Sequence, residues 1–283
     1  MPKAQRTAPK VVRAPAAPAT EVEKAKDVEQ RSAPVTPVIY EVVRRHGEEE
    51  LARPAVSLWW SGVAAGLSIS FSLLAQAVIA MRIGEASWAP LAIAAGYPVG
   101  FLMVVLGRQQ LFTESTITMV LPAFAGPTRH TYAALARAWS IILAANLAGT
   151  LVAALFCTFT PVISPEVHAS MLELSRAAMD KTWAVLFFEA ITAGFLMAAM
   201  VWLLPGAGAS PFPVVYLMTY LIAISGSAHI VAGSIEAFLL VLDGTMGVGP
   251  AIVGFALPTL LGNIVGGTVL FAVISHAQVM REI

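Results

Sequence analysis

The chain has 283 residues, 58% of them hydrophobic and 12% charged, whereas a soluble domain carries about 25% charged residues; this composition fits a lipid solvent rather than water. The formal charge is zero, and 18 of the 34 Asp, Glu, Lys and Arg residues fall in the first 54 positions. A single cysteine, Cys157, excludes an intrachain disulfide and any cysteine-based metal or iron–sulfur site within one chain.

Residues 1–36, rich in Ala, Pro, Lys and Glu, bury too little apolar surface to order themselves and are expected to form a disordered cytoplasmic tail. They contain no short apolar core followed by small residues, so no cleaved secretory signal is expected. Residues 37–53 place Ile39, Val42 and Val43 on one side and charges elsewhere, the pattern of an interfacial amphipathic helix, although Gly47 tells against it. Residues 54–280 then hold the membrane domain. A crossing needs about 20 apolar residues. The first span covers 55–81, with Trp59 and Trp60 as interfacial anchors and Arg82 and Glu85 at its exit. The stretch 88–126 is too long for one straight crossing and is interrupted by GRQQLFTEST (107–116), which reads as a broken helix. Spans three, four, five and six follow over 132–159, 182–204, 212–241 and 248–277, the fifth interrupted at SGSAH (225–229).

Six crossings put both termini on one side. Arg44, Arg45, Arg53, Arg129, Arg137 and Arg281 fall on that side, against Arg82, Arg176 and Lys181 on the other, so the positive-inside rule places the termini in the cytoplasm. An internal repeat supports the same division. ANLAGT (145–150) in span three resembles GNIVGGT (262–268) in span six, with Asn146 and Asn263 separated by 117 positions. The same shift sets Phe112 on His229, while SGVAAG (61–66) echoes EAITAG (189–194) at a shift of 128. A three-span repeat must insert its second copy upside down, which brings the two broken helices together near the midplane. The expected fold is therefore an all-α integral membrane protein of two inverted three-helix repeats, with helices two and five broken.

Backbone that leaves a helix inside hydrocarbon survives only when buried or lining a cavity. Two matched breaks thus imply a solute pathway, and the half-helix that starts at each break turns its positive end toward it. His229 is the one histidine deep in an apolar span, where an imidazole exchanges protons near neutral pH; the alternative is a ring that only satisfies loop carbonyls. Leu111 and Phe112 offer an apolar gate or simple packing, with the Thr113 hydroxyl beside them. Asn146 and Asn263 are placed either to touch the solute or to tether the broken segments. Glu114, Glu189 and Glu236 each need a partner or water in lipid, and Glu114 is positioned to cap the half-helix that starts near it. Glu236 lies two turns after His229 on the same helix face. Lys181 and Arg176 form a basic vestibule or are solvated loop charges, the second being the simpler expectation.

At GRQQLFTEST, SGSAHIVAGSIE and GNIVGGT, and in its six-span layout over about residues 38–280, the chain resembles the formate/nitrite transporter family, and in particular its bacterial inner-membrane branch of undefined substrate. The resemblance implies an aquaporin-like protomer, a homopentamer with one pore per subunit, and passage of a small monovalent anion such as formate, nitrite or hydrosulfide. It also implies that His229, between apolar constrictions that include Leu111 and Phe112, shares a proton with the anion, with Thr113 as its hydrogen-bonding partner and Asn263 as the family's nearby asparagine. Two positions depart from the family pattern: its glutamate before the histidine is Ala228 here, and Glu114 stands where small or uncharged residues are commoner.

The expectation is a channel or proton-coupled transporter, multi-pass in a bacterial inner membrane, with lipid, anion and proton as partners and no cofactor or nucleic acid. The alternatives are a neutral small-solute channel and a non-transport membrane protein with a regulatory cytoplasmic tail. No HxxxH, HExxH or GxSxG run supports an enzyme.

Overall fold

The computed structural model describes residues 34–84 and 86–282; the tail expected over 1–36 lies, up to residue 33, outside them. Every regular element among the described residues is helical. Helix α1 (Thr36–Ala52) has Pro37 in its first turn and stops before Arg53 and Pro54, since the residue before a proline is pushed out of helical geometry. It buries Tyr40, Val43 and Gly47, and the Tyr40 hydroxyl bonds His276 Nδ1 at 2.7 Å, tying α1 to the last span. Gly47, which argued against a helix on sequence, is explained by packing: a Cβ there would sit 1.8 Å from the Thr118 carbonyl oxygen.

The first span runs Ala55–Ile83 as α2 (Ala55–Ile69) and α3 (Phe71–Ile83). They divide at Ser70, whose Oγ donates back to the Gly66 carbonyl at 2.8 Å, a bond that bends helices. The second span enters through α4 (Ala89–Ala94) and α5 (Pro98–Leu106), breaks, and resumes as α6 (Phe112–Thr118) and α7 (Val120–Ala125). The third is α8 (Arg129–Phe159), capped by Thr128 Oγ1, which accepts from the Thr131 N–H at 3.1 Å.

Between the halves, where the apolar spans alone predict only a connection, lies helix α9 (Pro165–Met179). Its start was written in the chain: Ser164 caps it, accepting from the Val167 N–H, Pro165 occupies the first turn and Glu166 follows. It buries Met171 and Leu172 in a cluster with Leu73 and Ala77 of α3 and residues of the fifth span, Ile235 and Leu239.

In the second half, α10 (Trp183–Leu203) is capped by Thr182 and followed by a 3-10 turn, Leu204–Ala207. The fifth span is α11 (Pro211–Ile224), a break, and α12 (Ile230–Leu242). The sixth, Pro250–Val279, holds α13 (Leu257–Ile264) and α14 (Val273–Val279), with π-helical turns at Pro250–Ala256 and Val265–Ala272.

Among the described residues five helical stretches are long and apolar enough to cross a bilayer, and the shorter apolar helices α11 and α12 stand in series where the remaining crossing is expected. Side chains such as Val152, Phe156, Phe188, Leu217 and Val253 point outward, which is costly in water and suited to lipid. Within each half the first and third spans lie along one another, α2 on α8 and α10 on α13. Glycine permits both contacts: a Cβ on Gly66 would stand 2.2 Å from the Asn146 carbonyl oxygen, and one on Gly194 would stand 2.2 Å from that of Asn263. The protein is thus an all-α membrane protein of two three-span halves, with the second and fifth helices broken.

Candidate functional site

Each break frees backbone groups that need partners in a dry environment. In the first half Asn146, buried on α8, supplies three. Its Oδ1 accepts from the Phe112 N–H at 2.9 Å, and its Nδ2 donates to the carbonyls of Gln110 and Gly62, each at 2.9 Å. In the second half Asn263 on α13 does the same work: Oδ1 accepts from the Ile230 N–H at 2.9 Å, and Nδ2 donates to the carbonyls of Ala228 at 3.0 Å and Ala190 at 2.8 Å. One amide in each half therefore clamps the break to the first span.

These contacts correct the repeat register. The counterpart of Phe112 is Ile230, not His229, and His229 corresponds to Leu111, each being the extended residue that caps its half-helix. The shift at the breaks is one residue more than at the asparagines because the path from break to asparagine is 34 residues in the first half and 33 in the second.

The two caps differ chemically. Leu111 has no side-chain bond to offer α6. At α12, His229 Nδ1 accepts from the Ala232 N–H at 3.1 Å, and Nε2 lies 2.7 Å from Thr113 Oγ1. A ring nitrogen that accepts from a backbone N–H carries no proton, so this network assigns the neutral ring's proton to Nε2, directed at Thr113. One side-chain bond thereby joins the first break to the second. The ring is further fixed by Phe101 of α5, edge-on at 5.2 Å between centroids. Phe112 is held in the same way by Trp139 of α8 at 5.5 Å, whose Nε1 also donates to the Ser115 carbonyl at 3.1 Å. Leu111, Phe112, Thr113 and His229 are all buried.

A cavity of about 190 Å³ leads to His229, with Gln76, Tyr97, Lys181, Glu236 and Phe255 among its walls. Lys181 is not the solvated loop charge that sequence favoured. Its Nζ reaches Glu189 Oε2 at 2.6 Å and the Gly226 carbonyl, inside the second break, at 3.0 Å. Arg176 instead pairs with Asp243 at 3.2 Å, at the outer end of α12. Glu114 occupies the first turn of α6 with its Oε1 buried and without a hydrogen-bond partner among the described residues.

The structure thus brings Thr113 and His229 together, buries Leu111 and Phe112 at the start of the same half-helix as Thr113, and assigns the amides of Asn146 and Asn263 to backbone. Sequence reasoning missed Phe101, Trp139, Gln76 and Tyr97, because aromatic and amide side chains within apolar runs look like packing.

Residues 37–277 match the formate/nitrite transporter family. The chain is 42% identical over 244 residues to inner membrane protein YfdC of Escherichia coli, covering 86% of this chain and 79% of that protein. Among solved structures, a pentameric formate channel with formate bound superposes with a TM-score of 0.67 at 18% identity, over 80% of this chain and 98% of the channel. An ion channel of the same family superposes at 0.70 with 20% identity, over 86% and 98%. The spans, the paired breaks and the family match lead to one conclusion: the chain belongs to the formate/nitrite transporter family.

Proposed function

We propose that the protein is a channel or proton-coupled transporter for a small monovalent anion of the formate/nitrite class, working as a homopentamer in a bacterial inner membrane with both termini cytoplasmic. In this reading residues 54–280 form the transport domain, 37–53 an interfacial helix and 1–36 a cytoplasmic tail. The observation that carries it is the 2.7 Å contact between Thr113 Oγ1 and His229 Nε2, where two half-helix starts meet at the end of a cavity.

An anion entering past Lys181 sheds water as it approaches Leu111 and Phe112. The Nε2–H of His229 then serves as its donor in exchange for Thr113, and a donor directed at an anion in a dry site is stronger than the same bond in water. Proton sharing at that bond reduces the charge that must cross the apolar segment. Asn146 and Asn263 keep the two starts in register along the pathway.

The test is uptake of formate, nitrite and hydrosulfide into proteoliposomes at two pH values, with glycerol as a neutral control. His229→Asn is the informative variant, since asparagine can still accept from the Ala232 N–H as a cap but carries no imidazole. Anion uptake should rise as pH falls in the unaltered protein and lose that dependence in the variant, with the oligomer intact. An unchanged pH profile would sink the histidine mechanism. Glycerol uptake without anion uptake would favour a neutral-solute channel, the alternative that the unpartnered Glu114 oxygen supports.

A further inference from the structure

Helix α8 is longer than the hydrocarbon core of a membrane is thick. At 1.5 Å per residue its 31 residues span about 46 Å, against a core of about 30 Å. The uncharged run from Ala138 to Phe159 accounts for roughly 33 Å of that length. The stretch before it, with Arg129, His130 and Arg137, therefore stands in the headgroup layer. Helix α1 ends in the same layer: Arg137 Nη2 donates to the carbonyls of Leu51 at 3.1 Å and Arg53 at 3.3 Å, where the charged part of α8 gives way to the apolar part.

Between α1, the end of α7 and the start of α8 is an open cleft of about 470 Å³, within the range of about 300–1,000 Å³ that small-molecule sites occupy. Leu51, Pro122, Ala125 and Ala134 give it apolar walls, and both signs of charge meet there in Arg44, Glu48 and His130. These charged groups are not used up by one another. A guanidinium has five N–H donors; Arg44 spends three, from Nε and Nη2 on Glu41 and from Nη1 on Glu48, and two remain. Glu48 is half-exposed and gives one oxygen to Arg44, while neither its second oxygen nor the His130 ring makes a bond among the described residues. Free N–H donors beside a free carboxylate oxygen match a zwitterion. A purely anionic headgroup would meet Glu48 as a like charge, with Arg44 already shared between two carboxylates.

We propose that this cleft binds the headgroup of a phospholipid carrying a primary ammonium, phosphatidylethanolamine. The phosphodiester takes the remaining Arg44 N–H groups and His130, the ammonium donates to Glu48, and the glycerol and upper acyl chains lie on Leu51, Pro122, Ala125 and Ala134. Bound there, the lipid fills the gap between α1 and the membrane spans. None of Leu111, Phe112, Thr113 and His229 lines the cleft, so the site stands apart from the transport reading.

The test is native mass spectrometry of the full chain, purified in detergent as its oligomer and titrated with phosphatidylethanolamine, phosphatidylcholine and phosphatidylglycerol of identical acyl chains. Choline keeps the zwitterion but has no N–H to give Glu48, and glycerol removes the cation. Phosphatidylethanolamine should bind saturably and roughly tenfold more tightly than the other two, the size of one charge-assisted hydrogen bond. Glu48→Gln should bring it down to the phosphatidylcholine level, and His130→Ala should weaken binding of all three lipids. Both side chains are exposed, so both variants should assemble, which the same spectra report. Tighter binding of phosphatidylglycerol, equal binding of all three lipids, or a preference that survives Glu48→Gln would overturn the assignment. Absence of saturable binding would overturn it as well, and would point to a second copy of the chain covering the cleft.

Discussion

The first and second breaks are built on one plan and finished differently. In each, an asparagine from the third span of its half spends its amide on the same three backbone positions, and a glycine of the first span lies against that asparagine's own carbonyl. The residue that starts the half-helix is Leu111 in one and His229 in the other. The difference separates two tasks that share the same few residues: holding a helix open inside a membrane, which both halves do alike, and offering chemistry to a solute, which falls to the second.

The comparison can be broken most sharply at the asparagines. Asn146→Leu and Asn263→Leu each leave three buried backbone groups without a partner, at about 1–3 kcal/mol apiece. Each variant should therefore lose roughly 3–9 kcal/mol of stability, read as a collapse of thermal stability in detergent. Losses of very different size would show that the two clamps are not equivalent. The glycines give a finer test. In Gly66→Ala and Gly194→Ala the new Cβ meets a carbonyl at 2.2 Å, so the helices must separate. The cost should be about 1–3 kcal/mol in each, measured as a drop in melting temperature, and matched across the halves.

The smallest expected effect lies outside the repeat, on α1. Hydrogen bonds from Arg44 and Arg45 hold the Glu41 carboxyl down at about 2. Because the folded value lies below the unfolded one, the stabilisation is complete above the ordinary carboxylate range and is lost as pH falls through 4 toward 2. The group is largely exposed and screened, so Glu41→Gln should cost only a few tenths of a kcal/mol at neutral pH. That difference should vanish in an acid titration of thermal stability.

The spans, both breaks and the asparagine repeat could be read from the chain because each leaves a pattern in composition: apolar length, polar interruption, a recurring Asn-x-x-Gly. The Phe112-on-His229 alignment slipped by one residue because a single-residue difference in a helical connection leaves no mark on hydropathy. Helix α9 was overlooked because its apolar face is short and its cap, Ser164 with Pro165, follows directly on the exit of a membrane span. Lys181 looked like a loop charge because its partners, Glu189 and the Gly226 carbonyl, are 8 and 45 residues away. Gly47 misled for a related reason: its purpose is a carbonyl on another helix.

The spacing of the clamp contacts also says where the chain tolerates added length. Gly62 and Ala190, the carbonyl partners on the first spans, are 128 positions apart, whereas Gln110 and Ala228 at the breaks are 118 apart. The first half has therefore absorbed ten residues between its first span and its break, where α4 now lies, and only one between its break and its asparagine. An epitope or cysteine label inserted near Gly84, a positive-φ glycine with open space around it, would follow a route the fold has already accommodated. The same insertion after the break would pull the amide off its three partners.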